Sequence, residues 1–301
     1  MISLKFWKDK SEGSAPAKPG IIPKLLGTFE VTREIGRGSM GVVYQGRDVG
    51  SNTEVAIKTM HLANEFDANQ LKDAKERFMR EAEILTWLHH PDIVTIYDVG
   101  EEKGLAYIAM DYLKGVELTV YTSPDKLLPL TKLLEIMARA ADALCYAHKE
   151  GHEKGIVHRD IKPGNIMYDP ENDSVKLSDF GISRLVNLSS TRVGLVLGTP
   201  LYMSPEQVMG KPVTDLSDLF SLGSTFYHLA CGELPFDGDS EFEVMSRIVN
   251  EPHRDIATAK PDIPACVRAI INRALEKDPG SRFQSGSEMA EAFRNCAAQL
   301  H

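Results

Sequence analysis

The chain has 301 residues, 43% apolar and 26% charged, the profile of an ordinary globular protein long enough for a large core or two lobes. Its formal net charge of -9 argues against nucleic acid as a partner. Any phosphate site must therefore be a local positive feature on an acidic body. No apolar run reaches the roughly 18 residues of a membrane span, and the N-terminal apolar stretch is too short for a secretory signal. The four cysteines, Cys145, Cys231, Cys266 and Cys296, are scattered without metal-ligand spacing. They read as reduced thiols of a cytoplasmic protein.

Residues 1–27 read as a flexible tail and linker, because positions 8–20 are rich in Lys, Ser, Ala, Pro and Gly without an apolar period. Ahead of that linker, Leu4, Phe6 and Trp7 alternate with Lys5 and Lys8, a frayed end in preference to a membrane-surface anchor. The linker also suits attachment to a membrane or sensor module. From Phe29 onward, residues 29–35, 42–44 and 55–59 carry strand-forming residues. Residues 69–88 change to helical spacing, with Leu71, Ala74, Phe78, Ala82 and Leu85 recurring at three or four. Strands are expected again at 93–97 and 105–112, with a turn over 100–104. Residues 28–113 thus predict a small antiparallel sheet with one main helix.

After Gly115 the chain turns helical. Leu133, Leu134, Met137, Ala141 and Leu144 share one face of a helix over 131–150. The period returns at 215–231, 241–250, 263–276 and 286–299, and residues 166–168 and 175–177 suit a short hairpin. A strand-rich lobe over 28–113 followed by a larger helical lobe over 114–301 is an α+β arrangement. A cleft between two lobes is a preferred place for a ligand.

His158-Arg159-Asp160-Ile161-Lys162-Pro163-Gly164-Asn165 concentrates chemistry on an expected loop between helix and hairpin. Asp160 can accept or orient a hydroxyl proton, Lys162 can neutralise a transferring phosphoryl group, and Asn165 offers Mg2+ a hard carbonyl oxygen. Asp179-Phe180-Gly181 follows the hairpin and supplies a second oxygen ligand beside a hinge glycine. Gly36-Arg37-Gly38-Ser39-Met40-Gly41 is a GxGxxG run. A dinucleotide-binding turn would need a helix next, and Val42-Val43-Tyr44 reads instead as a returning strand over a ligand. Lys58 ends the strand 55–59 and would need an acid to hold it against a polyphosphate. Glu81, Glu76 and Glu83 are candidates, and spacing does not choose between them.

Together these motifs resemble a serine/threonine protein kinase of the eukaryotic-like bacterial kind, over residues 28–296. The resemblance implies a bilobal kinase fold, with the smaller lobe and hinge over 28–113 and the larger lobe over 114–301. It also implies transfer of the ATP γ-phosphate to Ser or Thr hydroxyls of proteins. Gly36, Gly38 and Gly41 would cover the ATP phosphates, with Val43 and Ala56 against adenine. Met110 would guard the back pocket, and the backbone of Asp111 to Leu113 would form the hinge. Lys58 would bind the α- and β-phosphates and pair with Glu81. Asp160 would be the base, Lys162 the γ-phosphate cation, and Asn165 and Asp179 the Mg2+ ligands, with Mn2+ as a substitute. Leu85, Ile96, His158 and Phe180 would form a stacked spine.

The same resemblance implies an activation loop over 182–204 bearing Ser183, Ser189, Ser190, Thr191 and Thr199. Thr191 is the favoured autophosphorylation site, with Arg159 as the reader of its phosphate. Thr199 would bond Asp160 and Lys162 at the substrate floor. Ser204-Pro205-Glu206 stands for the usual Ala-Pro-Glu, with Glu206 expected to pair with Arg282. Leu216 and Val193 depart from common Arg and Thr. Two other readings stand beside this one: a pseudokinase scaffold, which would usually have lost Lys58, Asp160, Asn165 or Asp179, and a small-molecule kinase of related fold, which would not be expected to keep the long hydroxyl-rich loop. A homodimer through the outer face of 69–88 is left open.

Overall fold

In a computed structural model that describes residues 24–38, 41–60, 68–102, 104–149, 155–180 and 200–300, residues with a strand period of two build one unit and amphipathic helices build another. Among the described residues, the first unit takes those up to 87 together with 95–113, and the second takes 88–94 and those from 114 onward.

In the first unit, β1 (Leu25–Leu26), β2 (Phe29–Gly38), β3 (Gly41–Asp48), β4 (Glu54–Met60), β5 (Ile96–Glu102) and β6 (Leu105–Asp111) form one sheet. Their order is β1-β2-β3-β4-β6-β5, every pair antiparallel. Alternation sorts the residues by face. Val42, Tyr44, Val55, Ile57, Tyr107 and Ala109 pack with Leu26 and Phe29 into one apolar cluster. The intervening positions Val43, Gln45, Ala56, Lys58, Ile108 and Met110 therefore share the opposite face. Helix α1 (Ala68–Leu85) buries Phe78, Ala82 and Leu85, and its Lys75 reaches Glu101 of β5 at 2.5 Å.

The second unit contains a three-stranded sheet of β7 (Val116–Glu117), β8 (Ile166–Asp169) and β9 (Ser174–Leu177). Around it lie α2 (Leu130–Lys149), α3 (Pro205–Val208), α4 (Asp215–Cys231), α5 (Glu241–Asn250), α6 (Ile256–Ala259), α7 (Ala265–Ala274) and α8 (Gly286–Gln299). Helix α4 is buried nearly all round, as befits a central helix whose polar face is too narrow for a surface position. It stops at Gly232, whose φ of 81° forms a left-handed C-cap. Helix α8 packs along α2. No helix among the described residues is long and apolar enough to cross a membrane.

Three expectations change. The strand expected at 93–97 begins at Ile96. Ile93 instead bridges Leu177, and the Val94 N–H donates to the Leu177 carbonyl at 2.9 Å. A short apolar run can serve either partner, and Asp92, tied to Arg139 at 3.0 Å, fixes this one on β9. The turn expected over 100–104 is tighter, because Gly100 to Glu102 already pair with Tyr107 to Leu105. Cys266 and Cys296 are joined in a disulfide rather than held as thiols, with Cα atoms 5.5 Å apart. Their 30-residue separation conceals that α7 and α8 lie side by side. Cys145 and Cys231 are free thiols.

Candidate active site

The loop that follows α2 is shaped by one buried carboxylate. Asp218, on the first turn of α4, is 1% exposed. Its Oδ2 accepts the His158 N–H at 2.7 Å and meets His148 Nε2 at 2.8 Å, while its Oδ1 accepts the Arg159 N–H at 2.7 Å. Arg159 has a φ of 68°, a left-handed conformation that a long side chain adopts only where the surroundings dictate it. His158 is wholly buried. The Asp160 N–H donates to its Nδ1 at 3.3 Å, so the ring proton resides on Nε2 and is given to the Ser178 carbonyl at 2.9 Å. One imidazole thereby joins Asp160 to the residue before Asp179. Phe180 lies against it, ring centroids 4.3 Å apart.

Asp160 Oδ2 accepts from Lys162 Nζ at 2.8 Å and from Asn165 Nδ2 at 3.0 Å. The same Asn165 nitrogen donates to the Asp160 carbonyl at 2.7 Å. A turn at Pro163–Asn165 brings these side chains together, and Pro163 suits its opening position because no N–H is needed there. The Asp160 and Lys162 side chains are 32% and 41% exposed. Such a solvent-screened pair contributes little to stability, and it leaves both groups open to a reactant. The Ser178 N–H donates to the Asn165 carbonyl at 3.0 Å, which sets Asp179, at φ 61°, next to Asn165.

In the first unit the register brings the expected nucleotide residues together. Gly36 faces Val43, Val43 faces Lys58, and Lys58 faces Ile108 across four strands. Two residues along, Ala56 faces Met110, and Met110 faces Ile96. Lys58 and Met110 are buried. Of the three acids considered for Lys58, Glu76 and Glu83 are exposed and Glu81 is half-buried beside Ala82. The Asp111 carboxylate is engaged within the sheet, accepting from the Thr95 N–H at 2.9 Å and the Tyr97 hydroxyl at 2.6 Å. That bond, with burial and the carboxylate's charge, raises the Tyr97 phenol to about 12. Leu113 is half-buried just past the strand. Leu85 and Ile96 are buried in this unit, and His158 and Phe180 in the other.

Past residue 199 the chain is anchored at three points. Tyr202, at the end of a turn over Pro200–Tyr202, meets His228 Nδ1 with its hydroxyl at 2.7 Å. Burial pushes that imidazole down to about 4, so near neutral pH it accepts the phenolic proton. Ser204 and Gln207 form a reciprocal capping box on α3. Glu206 receives Arg282 at 2.8 and 3.0 Å and the Ser217 hydroxyl at 2.6 Å. Burial resists ionisation of that carboxyl, and these bonds with the Arg282 charge outweigh it, leaving it at about 2. Leu216, in place of the more usual Arg, gives its carbonyl to Arg282 at 3.1 Å.

The expected positions Ser39, Met40, Gly181, Ser183, Ser189, Ser190, Thr191, Val193, Gly198 and Thr199 lie outside the described residues. Two residues of the site escaped the sequence reading, Asp218 as the holder of the loop and Gln207. The Ser-x-x-Gln spacing at 204–207 is a capping signal visible in the sequence. Nothing local marks Asp218.

A protein kinase domain model matches residues 29–294. The chain is 36% identical over 267 residues to the serine/threonine-protein kinase PrkC of Bacillus subtilis, covering 88% of this chain and 40% of that protein. It is 35% identical to PknA of Mycobacterium tuberculosis, covering 91% and 62%. Among solved structures, the PknI kinase domain of Mycobacterium tuberculosis superposes with a TM-score of 0.71 at 28% identity, over 92% of this chain and 99% of that one. The chain spans about two fifths of PrkC and three fifths of PknA. With the match reaching nearly from β2 to the end of α8, the chain belongs to the protein kinase domain family.

Proposed function

We propose that the chain is a serine/threonine protein kinase domain that transfers the ATP γ-phosphoryl group to Ser or Thr hydroxyls of proteins. The observation that carries this reading is the convergence of Lys162 Nζ and Asn165 Nδ2 on Asp160 Oδ2, with the Ser178 N–H, one residue before Asp179, bound to the Asn165 carbonyl. The acceptor hydroxyl oxygen bonds to the γ-phosphorus, the bond from that phosphorus to the bridging oxygen breaks, and ADP leaves. Asp160 orients the hydroxyl and takes its proton, while Lys162 offsets charge gathering on the phosphoryl oxygens. Because such a transition state is loose, positioning supplies most of the acceleration.

The donor set suits Mg2+, with Mn2+ as a substitute. Since Asn165 Nδ2 is occupied as a donor, its Oδ1 and the Asp179 carboxylate are the two hard oxygens. Mg2+ binds through few protein oxygens and keeps the rest of its shell for water and phosphate. Bound there, the ion would shield the phosphate charge. Lys58, held by Glu81, would bind the α- and β-phosphates. Gly36, Gly38 and Gly41 would cover them, Val43 and Ala56 would enclose adenine, and the backbone of Asp111 to Leu113 would meet its edge. Thr191 is the proposed autophosphorylation site, with Arg159 pairing its phosphate, and Thr199 would complete the substrate floor.

Incubation with labelled ATP and Mg2+ tests the proposal. The chain should incorporate phosphate, and Asp160→Ala and Lys58→Met should abolish incorporation while melting cooperatively. A fully active Asp160→Ala protein would remove Asp160 from the role of base.

A further inference from the structure

The peptide of Arg159 is held on both sides. Its N–H is taken by Asp218 of α4 at 2.7 Å. Its carbonyl accepts from Gln207 Nε2, in α3, at 2.8 Å. The other end of the same amide is also used, since Gln207 Oε1 accepts the Ser204 N–H at 2.9 Å. The adjacent Glu206 is locked to Arg282 and Ser217 inside the second unit. Gln207 thus leaves a rigidly anchored helix turn and reaches a backbone group 48 residues earlier in the chain. That group belongs to a residue in the left-handed region, immediately before Asp160.

We propose that Gln207 is a positioning residue for phosphoryl transfer, its amide tying the Arg159 carbonyl to the N-cap of α3 and so fixing the direction of Asp160. A non-glycine residue with positive φ persists only when its neighbours over-determine it. Asp218 constrains the peptide before Arg159, and Gln207 constrains the peptide after it, the one that carries Asp160. The bond also links the catalytic loop to the chain that leaves the activation segment, because Ser204 N–H and Arg159 O share one side chain. A loop released from this bond would misdirect the base without removing any reacting group.

A cap-only role for Gln207 predicts something different, and the two are separable by charge. Gln207→Glu keeps an acceptor for the Ser204 N–H but cannot donate to the Arg159 carbonyl. Gln207→Ala removes both bonds without adding charge. Ser204→Ala removes the capping hydroxyl and keeps the amide bond to Arg159.

This inference rests on Asp160 being the base, so the experiment measures the full chain, wild type and Asp160→Ala alongside these three variants. Initial rates of autophosphorylation are recorded across ATP concentrations at fixed protein concentration, with a thermal melt of each protein. Gln207→Ala should lower the maximal rate about fivefold, the equivalent of one lost hydrogen bond, and Gln207→Glu about tenfold or more. KM for ATP should be unchanged in both, and Gln207→Glu should melt near wild type. Ser204→Ala should melt earlier yet keep its maximal rate. Wild-type rates in both Gln207 variants, or a rate loss in Ser204→Ala equal to theirs, would overturn the positioning role while an inactive Asp160→Ala leaves the base assignment standing. Full activity in Asp160→Ala would remove the base assignment, and the inference with it.

Discussion

Asp218 Oδ1 accepts the backbone N–H of Arg159 at 2.7 Å, across 59 positions of sequence and at a residue with a φ of 68°. The carboxylate belongs to the most buried helix of the second unit, and the peptide belongs to the loop that holds Asp160. The loop that holds Asp160 thus takes part of its shape from α4 and part from its own residues. Asp218→Ala should leave the N–H groups of His158 and Arg159 and the His148 ring without their shared acceptor. At about 1–3 kcal/mol for each buried group left unpaired, a loss of at least about 3 kcal/mol is expected in urea denaturation. Phosphate incorporation should fall by more than tenfold at a temperature where the variant is still folded. A variant with wild-type stability would mean that water satisfies those donors.

The Glu206–Arg282 pair carries a pH signature. The folded Glu206 carboxyl sits at about 2 against an ordinary 4.5, so protons bind the unfolded chain more readily. Its contribution is complete above the ordinary value and is lost as pH falls from about 4.5 toward 2. For a side chain this buried the size is roughly 3 kcal/mol. Glu206→Gln leaves the Arg282 charge without its counterion, at a cost of about 3–5 kcal/mol near neutral pH. Urea unfolding at pH 7, 5 and 3.5 should show the gap between wild type and variant narrowing as the solution becomes acidic. A gap that stays constant would show that the ion pair is not the source of the difference.

The disulfide between Cys266 and Cys296 predicts a redox-dependent stability. Closing a loop of this length restricts the unfolded chain by about 3–4 kcal/mol in the chain-entropy description. Cys266→Ser should lower the urea midpoint in oxidising buffer. Excess dithiothreitol should bring wild type close to the variant, apart from the local cost of the substitution. Rates of phosphate incorporation at 25 °C should match, because α7 and α8 contribute nothing to the residues assigned to catalysis. Identical midpoints with and without reductant would mean that the two thiols remain unlinked in solution.

What could be read from the sequence was whatever is local. The eight residues 158–165 stood out because an acid, a cation and an amide fall within one short run, and the six long helices among the described residues declared themselves through apolar spacing such as Leu133, Met137, Ala141 and Leu144. Pairing across distance was hidden. Gln207 with Arg159, Asp218 with His158, and Cys266 with Cys296 depend on which elements neighbour one another, and no period records that. For Lys58, spacing did not choose between three acids, of which Glu81 is half-buried and Glu76 and Glu83 are exposed. Ile93 looked like a strand residue because it is one in chemistry, but its partner is β9 rather than β6.

Gly41 makes the final prediction, because here one hydrogen atom decides whether a strand can approach its neighbour. Its φ is 145°, and a Cβ at that position would lie 1.8 Å from the Thr59 carbonyl oxygen. That oxygen is backbone, one residue before the end of β4, and the Thr59 hydroxyl is itself bound to the Val42 carbonyl at 2.9 Å, so neither side yields easily. Gly41→Ala should therefore part β3 from β4 at the end nearest the glycine run. The backbone strain alone is worth about 1–3 kcal/mol, and a loss at the upper end is expected once the clash is added. KM for ATP should rise as well, since Gly36, Gly38 and Gly41 are proposed to cover the phosphates. Gly50→Ala is the control, because an added Cβ there meets only the Asp48 carboxylate, at an ordinary 3.7 Å. It should change stability by less than about 0.5 kcal/mol. Thermal melts and ATP titrations of the two variants, run side by side, decide the matter, and a Gly41→Ala protein that melts with Gly50→Ala would show that the strands can separate without cost.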